Sequence, residues 1–194
     1  MQLIIISGQI GSGKTTISQL FHHKGYELID SDSLAKKLIK GNKVIKNKIN
    51  EIFNNHSSDT IEPSTSDIKN IICESKKNKD IINNIVHPIF YNTLNEILDN
   101  HKKNKIVVEI PLIETLPNIK KSFITIVIDA DQSIRMKRYL DKKGNELEFF
   151  TRMSEYQKSR EFYINNADYV ITNNDTIDNL KERSNNRYKT LNDE

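Results

Sequence analysis

The sequence has no tryptophan, one cysteine (Cys73), four prolines and six glycines in 194 residues. A single thiol excludes an internal disulfide framework and a multi-cysteine metal site. No apolar run approaches the roughly 18–20 residues that a membrane span needs. The opening residues carry neither a basic lead-in nor a small-residue cleavage site, so no secretory signal is expected. Repeats of fixed period are absent, as is any linker that would split the chain. Basic runs are short, and 29 Lys+Arg against 26 Asp+Glu leave a net charge of only +3. That balance requires no nucleic acid and suits a small polyanionic substrate. A cytoplasmic protein without membrane or nucleic-acid partners is expected, as a monomer or weak homo-oligomer.

What is abundant is Ile (30), Lys (23) and Asn (23). This is the signature of an AT-rich genome, and it empties Lys and Asn counts of functional meaning. Hydrophobic residues are 36% and aromatics 7%. That is lean, yet apolar runs such as Leu3–Ile6 and Ile106–Ile110 exclude wholesale disorder.

Five short apolar runs read as strands: Gln2–Ser7, Tyr26–Ile29, Lys105–Ile110, Phe123–Asp129 and Asp168–Ile171. Helical spacing marks Lys14–His23, Ser33–Lys40, Ser133–Lys143, Glu146–Ile164 and Thr176–Tyr188. The last half-dozen residues are expected to fray. Between residues 42 and 101 no strand is convincing. Apolar faces there (Val44, Ile45, Ile49, Ile52 and Phe53; Ile68, Ile71 and Ile72; Ile81, Ile82 and Ile85) predict helices, broken by a polar loop over 54–66. Pro88 is expected to open a further helix, and Cys73 to lie in the core. Strands alternating with helices predict an α/β fold, a parallel helix-covered sheet.

Gly8-Gln-Ile-Gly-Ser-Gly13-Lys14-Thr15 fits G-x-x-x-x-G-K-[ST] without a mismatch, after an apolar strand and before a helix. Glycines let successive N–H groups turn toward phosphate oxygens. The helix that follows adds the positive end of its dipole. Lys14 can reach the β- and γ-phosphates, and the Thr15 hydroxyl can ligate Mg²⁺. Gly8, Gly11, Ser12, Gly13, Lys14, Thr15 and Thr16 are thus the candidate ATP-binding residues.

Asp30 and Asp32 follow the second strand, at the sheet edge where ligands bind in parallel α/β proteins. A carboxylate there can orient an attacking hydroxyl and take its proton; equally, Asp32 can cap a helix starting at Ser33. Arg135 and Arg138 lie three residues apart on one helical face, either aimed at a transferring phosphoryl group or forming a solvated face. Arg152 is a weaker candidate of the same kind. His87 either contacts substrate or packs at the turn before Pro88. Asn173 either borders the adenine or forms an ordinary turn.

The ordered motifs GQIGSGKTT, Gly25-Tyr26, IDSDSLAKKLIKG, His87-Pro88, VVEIPL (107–112) and Gln157…ADYVITN (167–173) resemble those of dephospho-coenzyme A kinases over about residues 2–175. The resemblance implies a three-layer P-loop kinase fold with a five-stranded parallel sheet. Its core would cover about 1–32, 103–131 and 166–194, with a helical substrate-binding insertion at 33–102 and a helical lid at 132–165. It implies ATP-dependent phosphorylation of the ribose 3′-hydroxyl of dephospho-coenzyme A, with ATP and Mg²⁺ as cofactors. Asp32, Lys14 and Arg138 would be catalytic, and Arg135 competes with Arg138 for the lid role. Asp32, His87, Pro111 and Leu112 would bind substrate, Asn173 the nucleotide, and Thr15 the metal. In the family pattern Pro-Leu-Leu-aromatic-Glu, this chain is one residue short before Glu114; Glu109 and Glu114 receive no role. A nucleoside monophosphate kinase and a non-catalytic nucleotide switch are the alternatives.

Overall fold

The computed structural model describes residues 1–53, 65–144 and 146–193. Two compact units emerge, Met1–Asp30 with Lys102–Glu194, and Ser31–His101. The first unit holds β1 (Gln2–Ser7), α1 (Lys14–His23), β2 (Glu27–Asp30), β3 (Lys105–Glu109), β4 (Ile124–Asp129), α6 (Gln132–Lys143), α7 (Leu147–Tyr156), α8 (Arg160–Asn165), β5 (Tyr169–Thr172) and α9 (Ile177–Asp193). The second holds α2 (Ser31–Gly41), α3 (Lys43–Phe53), α4 (Thr65–Glu74) and α5 (Lys76–Asp99).

All five strands are parallel, in the order β2-β3-β1-β4-β5. Helices cover both faces of the sheet. The central strands are therefore continuous Ile/Val runs rather than alternating ones, as a strand buried on both sides requires. Ile4, Ile6, Ile17, Phe21, Val107, Ile126 and Ile128 form the heart of that core. The chain leaves β1 toward β2 and β3 on one side, then crosses to β4 and β5 on the other. Register aligns the C-terminal strand ends: Asp30 pairs with Glu109, Ser7 with Val127, and Asp129 with Thr172. The loop after β1 thus opens at the point where strand order reverses, the usual ligand crevice of such sheets.

The helical unit packs on Ile45, Ile49, Ile68, Ile82 and Val86, with Leu38, Ile71 and Ile85 against them. Several boundaries depart from the sequence reading. α2 starts at Ser31, so Asp32 lies inside its first turn rather than capping it from outside. α5 is one helix of 24 residues that passes through Pro88. Proline forfeits one hydrogen bond, but Ile82, Val86, Phe90, Leu94 and Leu98 keep burying one face on either side of it. The predicted helix over 146–164 is two helices, because Ser159 caps α8 by accepting from the Phe162 N–H at 3.2 Å. α9 continues to Asp193 rather than fraying: Leu191 is buried, and the Gln2 side-chain amide donates to its carbonyl at 2.7 Å. Cys73 is half-buried rather than in the core. The polar loop expected over 54–66 lies outside the described residues up to position 64. No helix among the described residues is long and apolar enough to cross a membrane.

Candidate active site

The loop between β1 and α1 wraps tightly because its glycines go where other residues cannot. Gly13 has φ +104°, and a Cβ there would stand 2.4 Å from the Asn173 side-chain nitrogen. Gly11 has φ +78°, and a Cβ would stand 2.4 Å from the Arg135 carbonyl oxygen. Gly8 also has positive φ. α1 starts on Gly13 with no side chain capping it, so its N-terminal dipole faces the loop. The N–H groups of Thr16 and Ile17 both turn back to the Gly13 carbonyl, at 3.1 and 3.3 Å. This concave, uncapped helix start fits a polyphosphate.

Lys14 is 9% exposed, and its Nζ donates to the Gln9 carbonyl at 3.1 Å. The ammonium therefore lies over the loop, where an anionic phosphate oxygen would outcompete the neutral Gln9 carbonyl. Ser12 is fully buried, and its hydroxyl finds no acceptor among the described residues. Asn173, 3% exposed, donates its side-chain amide to the Ser12 carbonyl at 2.7 Å. It thereby ties the loop after β5 to the phosphate loop.

Thr15 is exposed, and its Oγ1 donates to Glu109 Oε1 at 3.0 Å. Glu109 ends β3 beside β1, in register with Ile6. A hydroxyl and a carboxylate held together beside a phosphate loop are hard oxygen donors of the kind Mg²⁺ takes. Thr15 is the metal candidate that the phosphate-loop motif marks, whereas no motif assigns Glu109 a role. An acid at the end of a strand flanking β1 was the signal available.

Arg138 donates to the carbonyls of Asn173 at 2.7 Å and Asp175 at 3.0 Å. It grips the same loop after β5 that carries Asn173. Arg135 is 5% exposed and faces inward, not into solvent. Arg152 sits on α7 with Glu148, 3.2 Å away. Arg160, which no motif marks, forks both oxygens of the buried Asp129 at 2.8 and 2.6 Å and reaches Asp131 at 3.0 Å. Pro111 and Leu112 begin the turn after β3. The Pro111 carbonyl accepts from Tyr163 Oη at 2.7 Å, and that of Leu112 accepts from Thr115 Oγ1 at 2.6 Å. Burial, with the Glu114 charge in second place, pushes the Tyr163 phenol well above its ordinary range, so it stays a proton donor to Pro111.

Asp32 is exposed in the first turn of α2, where the helix dipole favours a negative charge. His87 is half-buried on α5, edge-on to Tyr91 at 6.2 Å between ring centroids. Burial, then the Lys79 charge, lowers its pKa below the ordinary 6.5. The folded state therefore prefers neutral His87. Its contribution to stability is full above pH 6.5 and is lost as pH falls through the folded value. The unfolding midpoint of the wild type should thus fall between pH 7.5 and 5.5 by more than that of His87→Gln. Thermal melts at both pH values check this, and equal pH slopes would remove His87 as the cause.

The model of the Dephospho-CoA kinase family matches residues 2–179. A curated relative from Fusobacterium nucleatum, named Dephospho-CoA kinase, is 27% identical over 181 residues, which cover 93% of this chain and 93% of the relative. Among solved structures, a protein from Thermus thermophilus aligns with a TM-score of 0.79 at 22% identity, covering 98% of this chain and 97% of the other. The structure of a dephospho-CoA kinase from Campylobacter jejuni aligns with a TM-score of 0.67 at 23% identity, covering 98% of each chain. These structural likenesses establish the three-layer P-loop kinase fold.

Proposed function

The chain belongs to the dephospho-CoA kinase family, and from that premise we propose that it transfers the γ-phosphoryl group of ATP to the ribose 3′-hydroxyl of dephospho-coenzyme A, giving coenzyme A and ADP. The observation that carries this reading is the family match over residues 2–179, on a chain whose phosphate loop is built complete. In this reading the loop from Gly8 to Thr16 holds the polyphosphate, with Lys14 over the β- and γ-groups. Thr15 and Glu109 would hold Mg²⁺, which when bound neutralises charge on those phosphates. Asn173 fixes the loop after β5 near the nucleotide. Asp32 aims the acceptor hydroxyl and takes its proton.

The Ser31–His101 unit is assigned to the acceptor, with His87 among its contacts, and Pro111 and Leu112 are further substrate-binding candidates. Residues 132–165 are assigned to the lid. Arg138 is the candidate for contacting the transferring phosphoryl group. To do so it must exchange the carbonyls of Asn173 and Asp175 for phosphate oxygens, a trade its planar fork favours because the new partners are anionic.

The test is incubation with ATP, Mg²⁺ and dephospho-coenzyme A beside a panel of nucleoside monophosphates. Coenzyme A and ADP should form together, with the monophosphates turned over at least about 100-fold more slowly, a barrier difference of about 2.7 kcal/mol. Efficient phosphorylation of a monophosphate with no coenzyme A formed would overturn the reading.

A further inference from the structure

Ile10 sits in the phosphate loop, and both of its main-chain polar groups are taken by residues far along the chain. Its N–H donates to Gln157 Oε1 at 2.8 Å. Its carbonyl accepts from Arg135 Nη1 at 3.1 Å. The next grip is similar, since Gln9 Nε2 donates to the Lys158 carbonyl at 3.0 Å. Arg135 has a second hold, its Nε donating to the Ala130 carbonyl at the end of β4 at 3.1 Å. The fully buried Phe150 ring of α7 lies 6.0 Å from its Cζ.

A buried guanidinium is an expensive way to fill space. Burial lowers the Arg135 pKa, and the charge of Asp129 opposes that shift. If only packing were needed, an apolar side chain beside Phe150 would serve better. What an apolar side chain cannot do is hold two carbonyls at once in a fixed fork. The peptide unit before Ile10 carries the Gln9 carbonyl, which accepts from Lys14 Nζ at 3.1 Å and from the Ser12 N–H at 3.2 Å, and the unit after it carries the Gly11 N–H, so rotating either unit would reshape the loop around Lys14. Arg135 fixes one of these units and Gln157 the other.

We propose that Arg135 and Gln157 are positioning residues for phosphoryl transfer, holding both peptide units of Ile10 so that the phosphate loop keeps its N–H groups aimed at the nucleotide. The two residues lie at the start of α6 and just after α7, so the helices between them set the shape of the loop. The inference rests on the kinase reading of this same site. Arg135 therefore acts through the loop, from behind it, and not on the phosphoryl group itself.

The experiment measures ATP affinity by calorimetry for the wild type, Arg135→Lys and Gln157→Met, with thermal midpoints and steady-state kinetics alongside. Lysine keeps the charge but reaches only one of the two carbonyls. Methionine keeps the length of Gln157 without its acceptor. Each variant should raise the ATP Kd about tenfold, about 1.4 kcal/mol, and leave KM for dephospho-coenzyme A within twofold. Amide hydrogen exchange at Ile10 should quicken in Gln157→Met. An ATP Kd within twofold of wild type in both variants, with only the thermal midpoint lowered, would reduce the pair to structural support and overturn the proposal. Should Arg135→Lys not fold, Gln157→Met at its half-buried position decides alone. A wild type that binds ATP but makes no coenzyme A removes the kinase reading, and the affinity comparison still decides the positioning role. A wild type that binds no ATP overturns both.

Discussion

Replacing Asp32 with asparagine is expected to lower kcat by roughly 10²–10⁴-fold while ATP affinity changes little, the scale of losing a general base. A ribose hydroxyl is a weak nucleophile, and a carboxylate within hydrogen-bond reach both aims it and accepts its proton. Asn keeps the size of Asp32 and can still aim the hydroxyl, so the loss isolates the proton transfer. Asp32 stands in the first turn of α2, where its charge also interacts favourably with the helix dipole, worth about 0.3–1 kcal/mol. The two roles separate cleanly. If the carboxylate only stabilises α2, Asp32→Asn lowers the unfolding midpoint and leaves kcat intact. If it is the base, kcat collapses in a protein that melts near the wild-type temperature. Single-turnover rates at saturating ATP, with a melt of the same sample, decide between them.

The parts of this site that were legible in the sequence are local. β1, the glycine loop and α1 occupy consecutive residues, and their bounds match the reading residue for residue, because strand, turn and helix chemistry all act within a few positions. The acid at 32 was equally visible. Its placement within the helix, rather than before it, was not, since Ser33 and Ser31 are comparable helix starters. The prolonged α5 was missed for a related reason. Pro88 is a strong local stop signal, and only the apolar stripe on both sides of it, satisfied by tertiary packing, overrides that signal.

The remainder of the site could not be read locally at all. Ile10 is held by residues 125 and 147 positions away, and Thr15 meets an acid 94 positions away. Nothing in the spacing of Arg135 and Arg138 reveals that one turns inward under the loop while the other grips the carbonyls after β5. Both look alike on a helical wheel. Their fates diverge only because the end of β4 and the phosphate loop crowd the first and leave the second at the surface. The acid that ends β3 is the one omission with a usable signal, as parallel sheets gather their strand ends at the ligand crevice.

Lys14→Ala is expected to lower turnover by about 10²-fold or more, comparable to the loss of one preorganised donor at a developing charge. The reason lies in where the ammonium sits before any nucleotide arrives. Its stem is buried with the side chain 9% exposed, and its Nζ rests 3.1 Å from the Gln9 carbonyl. Little reorganisation is then needed to place the cation on the phosphates, and a poorly solvated site lets that charge act at high strength. Charge builds on the bridging and transferred oxygens as the bond to the γ-phosphorus breaks, so the benefit falls on the transition state more than on bound ATP. The expectation is therefore a large drop in kcat with a smaller rise in the ATP Kd. Loss of the buried stem is a separate effect, and Lys14→Met separates it: methionine restores apolar packing against the loop but not the charge. Both variants should lose kcat to a similar extent, with Lys14→Met recovering only thermal stability. Near-normal kcat in Lys14→Met would show that the stem, not the ammonium, is what this position supplies.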